Sequence, residues 1–363
     1  MTGTVGVVTR TKNRPVILKR ALESVLGQSY DNWTMVIVND GGEAATVDRL
    51  VAQYDERAHG RIRIIHNPVS LGMEAASNVA IRAMDCDYLV IHDDDDSWSP
   101  EFLTIAVAEL EHAHALYPRV MGVVAKANAV YERIDGNVVT IERTKEYKPW
   151  IKHGLISLDA MLSECLFAPI QFLFRSEVVG KTGLYREDLP VLGDWDFNIR
   201  FMLNYDIMLI PQVLAFHHHR GNDLDSQYGN TIHAKRDRHE FVRQLLKNEW
   251  LRHDIGSGSA SLGYLVHARP QMEQVDKRMD QLLKKVDNLT VTVDDLTVRV
   301  THLEARRDPF TNLLHLAALW ARSGRAFHYV SRFAQSLSQR GLRATLQTVR
   351  EWFSIQRNRL NRP

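Results

Sequence analysis

A run of four aspartates at the end of a short apolar segment constrains this chain more than any other feature. Segment 88–91 (YLVI) has the composition of a buried β-strand, and residues 93–96 are all aspartate. Four adjacent carboxylates repel one another unless cations neutralise them, and hard oxygen ligands suit Mg²⁺ or Mn²⁺. The run therefore indicates a divalent-cation site that holds the phosphates of a nucleotide. The alternative is an acidic turn exposed to solvent.

The N-terminal part of the chain predicts strands and helices in alternation. The predicted strands are 4–9, 33–38, 61–66 and 88–91, and the predicted helices are 16–26, 47–54 and 73–84. This alternation is typical of a parallel, doubly wound sheet, in which ligands bind at the carboxyl ends of the strands. Polar residues follow three of these strands at Arg10, Asp40 and Asp93, so we expect the three to line one crevice.

After the aspartates the pattern predicts a helix over 100–117 and then a mixed sheet with a hairpin. The further predicted strands are 120–127, 129–134, 138–142, 172–175, 207–210 and 213–216. Asp194 and Asp196 begin a predicted helix, where they either cap its N-terminus or take part in chemistry. Three histidines, 217–219, follow the last strand and either bind a metal or lie on an exposed loop.

Composition places the chain among ordinary soluble proteins. With 363 residues, it is long enough for about two domains, and its net charge of +1 gives no general attraction to nucleic acid. Two cysteines, Cys86 and Cys165, are too few for a disulfide framework and fit a reducing compartment. No signal peptide and no apolar stretch of about 18 residues is present, so a cytoplasmic location is expected.

Five motifs, taken together and in this order, resemble family 2 glycosyltransferases over roughly residues 3–250. The motifs are 10–14 (RTKNR), 39–42 (NDGG), 93–95 (DDD), 193–196 (GDWD) and 215–217 (AFH). The resemblance implies the GT-A fold, an α/β, Rossmann-like domain with a mostly parallel mixed sheet. It also implies transfer of a sugar from a nucleotide-sugar, with UDP the expected nucleotide, to a hydroxyl of a glycan or lipid-linked acceptor. Bacterial surface polysaccharide synthesis (O-antigen or capsule) is the expected setting.

The resemblance also implies where the donor binds. Asp40 would receive the nucleotide base, with Arg10 and Thr11 beside it. Asp93 and Asp94 would lie near the ribose and the phosphates.

For the metal and the reaction, the resemblance implies that Asp95 ligates Mn²⁺ or Mg²⁺, with His217 as a further ligand. Asp194 would be the general base in a single in-line displacement that inverts the anomeric carbon. Further candidate residues are Asn78, Asp196, His219 and Arg220.

Three positions depart from the family pattern. Lys12 stands where a tyrosine often packs on the base, and Gly193 stands where a glutamate usually precedes the catalytic aspartate. Ser77 replaces the arginine of an Arg-Asn pair, which predicts weaker pyrophosphate contacts, and Arg220 is the candidate to offset them.

Two alternatives to a glycosyltransferase remain open. A sugar nucleotidyltransferase would need a glycine-rich loop after the first strand, and residues 10–15 contain no glycine. A catalytically inactive scaffold with the same fold would act through the C-terminal part of the chain.

That C-terminal part predicts an oligomerisation helix. After the 1–255 catalytic domain, a linker is predicted over 256–270. Apolar residues three and four apart over 272–303 then predict a coiled coil within 271–305, which favours a parallel homodimer and leaves a trimer open.

The last segment, 306–363, is a basic amphipathic helical tail with interleaved aromatic residues. It predicts either contact of 309–363 with an anionic membrane surface, on the inner face of the cell membrane, or packing on the protein itself or on a partner enzyme. Because no nucleic-acid recognition motif accompanies its arginines, nucleic acid is not an expected partner.

Overall fold

A computed structural model describes residues 3–135, 138–149, 154–220 and 236–304 of this chain. The chain divides into two compact units, Met1–Ser257 and Gly258–Pro363.

Within the described residues, the first unit contains one sheet of nine strands. The strands are β1 (Val5–Thr11), β2 (Trp33–Asp40), β3 (Ile62–Asn67), β4 (Tyr88–Ile91), β5 (Ser97–Trp98), β6 (Val120–Asp135), β7 (Val138–Tyr147), β8 (Phe172–Arg175) and β9 (Asp206–His219). Their order is β3-β2-β1-β4-β8-β6-β9-β5, and β7 pairs with β6. Strands β1 to β4 pair in parallel, whereas β8 is antiparallel to both β4 and β6. The predicted α/β class and mixed sheet are therefore confirmed.

The helices of this unit cover both faces of the sheet. They are α1 (Pro15–Leu26), α2 (Ala44–Ala52), α3 (Asp55–Ala58), α4 (Met73–Arg82), α5 (Phe102–Leu116), α6 (Leu158–Ser163), α7 (Val179–Thr182), α8 (Gly193–Met202) and α9 (Arg236–Gly256), with 3-10 turns at Pro169–Gln171 and Ser176–Val178. Apolar residues on one side of β1, such as Val7, pack with α1 and α5. Val8, on the other side, packs with α4 and α8. Burial on both faces explains why the parallel strands read as continuous apolar runs.

Two pairs of predicted strands prove to be single long strands. Residues 120–127 and 129–134 are one strand, β6, and residues 207–210 and 213–216 are one strand, β9. The polar residues that suggested breaks lie within a parallel β6–β9 ladder whose register shifts near Ala125 and Lys126. The shift skips Pro211, which lacks a backbone donor, so the ladder continues past it.

Strand register brings the three predicted polar ends to one edge of the sheet. Val8 is level with Ile91, and Arg10 is level with Val38, two residues before Asp40. The carboxyl ends of β1, β2 and β4 therefore meet, as the sequence predicted.

The second unit contains a 43-residue helix, α10 (Leu262–Glu304). It begins inside the predicted linker, so the non-helical connection after α9 is shorter than expected. Seven residues of the predicted heptad seam are each at least half exposed: Val275, Met279, Leu282, Val286, Leu289, Val293 and Leu296. The coiled coil itself stays a prediction, and the tail over 306–363 lies outside the described residues.

Of the helices in the described ranges, none is long and apolar enough to cross a membrane.

Candidate functional site

A cavity of about 800 Å³ lies in the first unit, at the carboxyl ends of β1, β2 and β4. Seven of the residues that the sequence singled out line it: Arg10, Thr11, Asp40, Asp93, Asp95, Asp194 and His217. Five others lie outside its lining: Asn78, Asp94, Asp196, His219 and Arg220. A volume of this size suits a drug-sized or nucleotide-sized ligand.

Asp40 is fixed by four hydrogen bonds at the end of β2. Its carboxylate accepts from Asn67 Nδ2 (2.9 Å), Ser70 Oγ (2.7 Å), Leu71 N (2.8 Å) and Gly72 N (3.1 Å). Although burial acts to raise it, these bonds hold the pKa of Asp40 below its ordinary value. The carboxylate therefore stays charged and rigidly oriented.

Gly41 makes this arrangement sterically feasible. A Cβ on Gly41 would lie 2.5 Å from Ser70 N, and its φ of +74° also favours glycine. Only a residue without a side chain lets the 70–72 loop cross the end of β2 closely enough to reach Asp40.

The aspartate run is neutralised by arginines of the protein itself. Arg10 Nε donates to Asp93 Oδ1 at 3.0 Å, and Arg14 Nε donates to Asp94 Oδ2 at 3.1 Å. Asp95 forms an ion pair with Arg220. The cluster is thus neither a solvated turn nor a bare metal cage.

The pKa values of the two central aspartates, Asp94 and Asp95, are shifted in opposite directions. The side chain of Asp94 is fully buried, and burial raises the pKa of Asp94 to about 7 against the opposing charge of Arg14. Asp95 is also buried, but Arg220 and Arg14 lower its pKa. Asp95, which lines the cavity, is therefore the charged member of this pair.

His217 is oriented by Asp96. Its Nδ1 lies 3.1 Å from both carboxylate oxygens of Asp96, and its Nε2 is buried with no hydrogen-bond partner among the described residues. Although burial opposes it, the charge and hydrogen bond of Asp96 raise the pKa of His217 to about 9. A carboxylate behind one ring nitrogen, with the other nitrogen unpaired, is the usual arrangement of a metal-ligating histidine.

Arg220 lies in a buried network behind the cavity. Glu132, on β6, accepts from Arg220 Nη1 (2.7 Å) and from both terminal nitrogens of Arg20 (3.0 Å each), and lies 2.8 Å from His218 Nδ1. Although burial acts to raise it, His218 and Arg20 lower the pKa of Glu132 to about 2. Arg220 is 2% exposed and also pairs with Asp95. Arg220 therefore lies where it orients Asp95, and its expected contact with the pyrophosphate stays a prediction.

Arg10 lies against Ser77 instead. Its Nη1 donates to Ser77 Oγ (3.1 Å) and to Met73 O (3.2 Å), so its guanidinium rests on the first turns of α4. Arg10 therefore brings a cation to the position where the family usually has an arginine.

Asp194 stands at the start of α8, after a left-handed residue, Leu192 (φ +64°). Asp194 Oδ1 accepts from Trp195 N at 2.8 Å, and the Cys165 thiol donates to Oδ2 at 3.6 Å. Burial raises the pKa of Asp194. A backbone conformation that costs energy for leucine thus delivers a protonatable carboxylate to the cavity.

Glu74 was not singled out by sequence reasoning. It is 6% exposed, lines the cavity from the first turn of α4, and interacts electrostatically with both Arg10 and Asp194. Burial raises the pKa of Glu74 to about 7. Only its place two residues after Gly72, at a helix start near a motif, could have drawn attention to it.

Three remaining candidates have contacts that hold the fold together. Asn78 donates to Tyr185 O (2.8 Å) and accepts from Tyr185 N (3.0 Å). Asp196 accepts from Arg200 Nε at 2.8 Å, and the ring of His219 stacks on Tyr131 with 5.2 Å between centroids. The structure therefore gives these side chains no direct place in the cavity.

No three His, Cys, Asp or Glu side chains in the described part of the chain converge to form a metal site on their own. Asp95 and His217 line the cavity together, and Mg²⁺ sites often use one or two protein ligands plus substrate phosphates. The residues present fit a cation that arrives with a nucleotide.

Comparison with known proteins finds a family model that matches part of the first unit. Residues 6–167 match Glycosyl transferase family 2. WcaA of Escherichia coli (strain K12), which is named as a colanic acid biosynthesis glycosyl transferase, is 38% identical over 99 residues, or 27% of this chain and 34% of WcaA. The uncharacterised glycosyltransferase YwdF of Bacillus subtilis (strain 168) is 24% identical over 277 residues, or 74% of this chain and 91% of YwdF.

The chain thus spans about a third of WcaA and nearly all of YwdF. Among solved structures, S. aureus TarS 1–349 in complex with UDP-GlcNAc superposes with a TM-score of 0.49 and 17% identity, covering 60% of this chain and 59% of that chain. The family match and the relatives confirm the expected enzyme class, a glycosyltransferase.

Proposed function

We propose, on the premise that residues 6–167 are a family 2 glycosyltransferase domain, that this protein transfers a sugar from a nucleoside-diphosphate sugar to a hydroxyl of a glycan or lipid-linked acceptor. UDP is the expected nucleotide. The observation that carries the proposal is the presence of Asp40, the Arg10–Asp93 pair and Asp194 in one cavity.

The donor end of the cavity suits a nucleoside diphosphate. Asp40, held charged at the end of β2, can accept from the N–H groups of a base. Arg10, whose guanidinium is fixed by Asp93 and Ser77, can face the phosphates. The donor's anomeric carbon would then point towards Asp194.

Asp194 is the proposed general base. As the acceptor oxygen bonds to the anomeric carbon, the bond from that carbon to the phosphate oxygen breaks, and the hydroxyl proton passes to Asp194 Oδ2. Attack opposite the leaving group inverts the anomeric configuration. Its raised pKa makes Asp194 a better proton acceptor than an ordinary carboxylate.

Asp95 and His217 would hold a divalent cation, either Mn²⁺ or Mg²⁺, together with phosphate oxygens of the donor. When bound, such an ion neutralises the charge of the leaving diphosphate. Asp96 and Arg220 would keep the two ligands oriented.

The test is sugar transfer by the purified full chain. A panel of UDP-glucose, UDP-galactose, UDP-GlcNAc and GDP-mannose is offered with Mn²⁺ and p-nitrophenyl glycosides, and the product anomer is determined by NMR. We expect one donor to be consumed and the configuration to invert. Consumption of no donor, with no nucleotide bound, would favour the inactive scaffold.

We also propose that α10 joins copies of this chain into a coiled-coil dimer. A helix that exposes an apolar seam from Val275 to Leu296 is stabilised when a second copy covers the seam. Leu289→Lys lies on the seam and its neighbour Asn288→Lys does not. Sedimentation analysis should show monomers for the first variant and dimers for the second, and dimers for both would contradict this role.

The polysaccharide setting rests on the naming of the WcaA relative. A peripheral position on the inner membrane face, through 309–363, remains an expectation from the sequence.

A further inference from the structure

The mechanism above leaves one buried acid in the cavity without a role. Glu74 is 6% exposed, yet its carboxyl lines the same cavity as Asp194. Glutamate is rarely buried unless it is paired or used. Arg10 is a charged neighbour of Glu74, but Arg10 donates its hydrogen bonds to Asp93, Ser77 and Met73.

Glu74 occupies a notch that only glycine leaves open. A Cβ built on Gly193 would lie 2.3 Å from Glu74 Cγ and 2.4 Å from Glu74 Oε1, closer than real atoms approach. The Gly193 backbone N–H also hydrogen-bonds to the Glu74 carboxylate. Gly193 is the first residue of α8, where helical backbone makes no demand for glycine, so the need is for space.

This notch places the Glu74 carboxyl next to Asp194 from a different element of the fold. Gly193 directly precedes Asp194, and the resemblance described above has a glutamate at that position. Here a side chain on α4 fills the space that a side chain at 193 would take. The carboxyl group that the sequence seemed to lack is therefore supplied from α4.

Arg10 limits what Glu74 can contact. Its guanidinium lies on the first turns of α4 and reaches Asp93, so it offers a phosphate the cationic partner that a carboxyl group such as Glu74 cannot be. The Glu74 carboxyl can therefore contact a ligand on the side of the cavity where Asp194 lies, and the acceptor hydroxyl must arrive on that side.

We propose that Glu74 binds the acceptor, accepting a hydrogen bond from a second hydroxyl of the acceptor saccharide beside the one that Asp194 deprotonates. This inference rests on the proposed function. It identifies the acceptor as a polyhydroxylated sugar rather than a single isolated hydroxyl. Glu74 would thereby help select which hydroxyl reacts.

The test compares four forms of the full chain: wild type, Glu74→Gln, Glu74→Ala and the double variant Glu74→Ala/Gly193→Glu. Truncating Glu74 clears the notch, so the double variant returns a carboxylate from α8. Asp188→Asn is the matched control, since Asp188 lines the cavity but is mostly exposed and pairs with Arg186 in its own loop. Thermal midpoints establish that each variant is folded.

The measurements are the KM for p-nitrophenyl glycosides and the calorimetric affinity for UDP. Glu74→Ala, which removes the acceptor altogether, should raise the glycoside KM about tenfold, and Glu74→Gln, whose amide oxygen can still accept, should raise it less. UDP affinity should stay within about twofold in every variant, and the double variant should regain most of the loss seen in Glu74→Ala.

An unchanged glycoside KM in Glu74→Ala would overturn the inference. So would a parallel loss of UDP affinity, because Glu74 would then belong to the donor site, or a double variant no better than Glu74→Ala. A wild type that binds no nucleotide and consumes no sugar nucleotide would instead overturn the proposed function.

Discussion

The two walls of the cavity hold carboxylates in opposite states. On the wall formed by the ends of β2 and β4, Asp40 and Asp95 have lowered pKa values despite their burial. On the wall formed by α4 and α8, burial raises the pKa values of Glu74 and Asp194.

The difference lies in the number of donors that each carboxylate receives. Asp40 accepts four hydrogen bonds and Asp95 pairs with Arg220, whereas Asp194 accepts one backbone N–H and a weak thiol donor. Burial alone therefore does not set the charge state. The wall formed by the ends of β2 and β4, called the donor wall below, suits fixed recognition. The wall formed by α4 and α8, called the opposite wall below, suits proton transfer.

Asp94 lies between these extremes. It is paired with Arg14 on the donor wall, yet burial raises its pKa to about 7. It faces away from the cavity lining, so its role is to hold Arg14 in place.

The largest expected effect comes from removing the protonatable carboxylate of Asp194. Asp194→Asn keeps the shape but cannot accept the proton, so donor turnover should fall about 10²–10⁴-fold. UDP affinity should be nearly unchanged, because the donor wall is intact. Turnover as in the wild type would show that Asp194 is not the base.

Substitution of Glu132, in the buried network behind the donor wall, should reduce the stability of the fold. Glu132→Ala leaves Arg20 and Arg220 buried without their shared acceptor, which should cost about 3–5 kcal/mol of unfolding free energy. The matched change Glu146→Ala removes an exposed partner of Lys126 and should cost less than about 1 kcal/mol. Urea denaturation measures both, and equal costs would show that the buried network contributes nothing special.

The opposite wall should show an unusual pH dependence. Wild-type Glu74 keeps its proton up to about pH 7 in the folded state but loses it near 4.5 when unfolded, so its contribution to stability falls as pH rises through this window. Glu74→Gln lacks this term, so its stability relative to the wild type should rise by about 2–3 kcal/mol between pH 4.5 and 7. If the difference in stability between Glu74→Gln and the wild type did not depend on pH, Glu74 would not be buried in its protonated form.

The stability that Asp40 contributes should depend on pH with the opposite sign and a smaller amplitude. Its lowered pKa contributes stability that is present above pH 3.8 and is lost as pH falls through the folded-state value. Asp40→Asn should therefore cost about 1–2 kcal/mol at pH 7 and progressively less below pH 3.8. Urea titrations at the two pH values check the sign, and a gap that widens in acid would break the comparison between the walls.

The sequence predicted that the ends of β1, β2 and β4 meet, because this convergence depends on local features. Strand ends, a turn after β2 and an aspartate run are visible along the chain, and parallel pairing brings them together. The pairing of Arg220 with Glu132 could not be predicted, because the two residues are 88 positions apart in the sequence. Only the β6–β9 register, which sets Val130 beside His218, brings the two together.

Of the two acids on the opposite wall, the sequence singled out one. Asp194 belongs to a recognisable motif, but Glu74 reaches it through the packing of α4 against α8, which no local pattern records. From the sequence, Gly193 seemed to mark the loss of an acidic side chain. In the structure, the side chain of Glu74 fills the space beside Gly193.

Calorimetric binding of UDP, with and without Mn²⁺, tests the central claim most directly. The account predicts manganese-dependent binding to the wild type and to the exposed control Asp85→Ala, and a loss of about tenfold or more in Asp95→Ala, as for a removed metal ligand. Absence of UDP, GDP or dTDP binding under either condition would contradict the assignment of this cavity to a nucleotide-sugar donor.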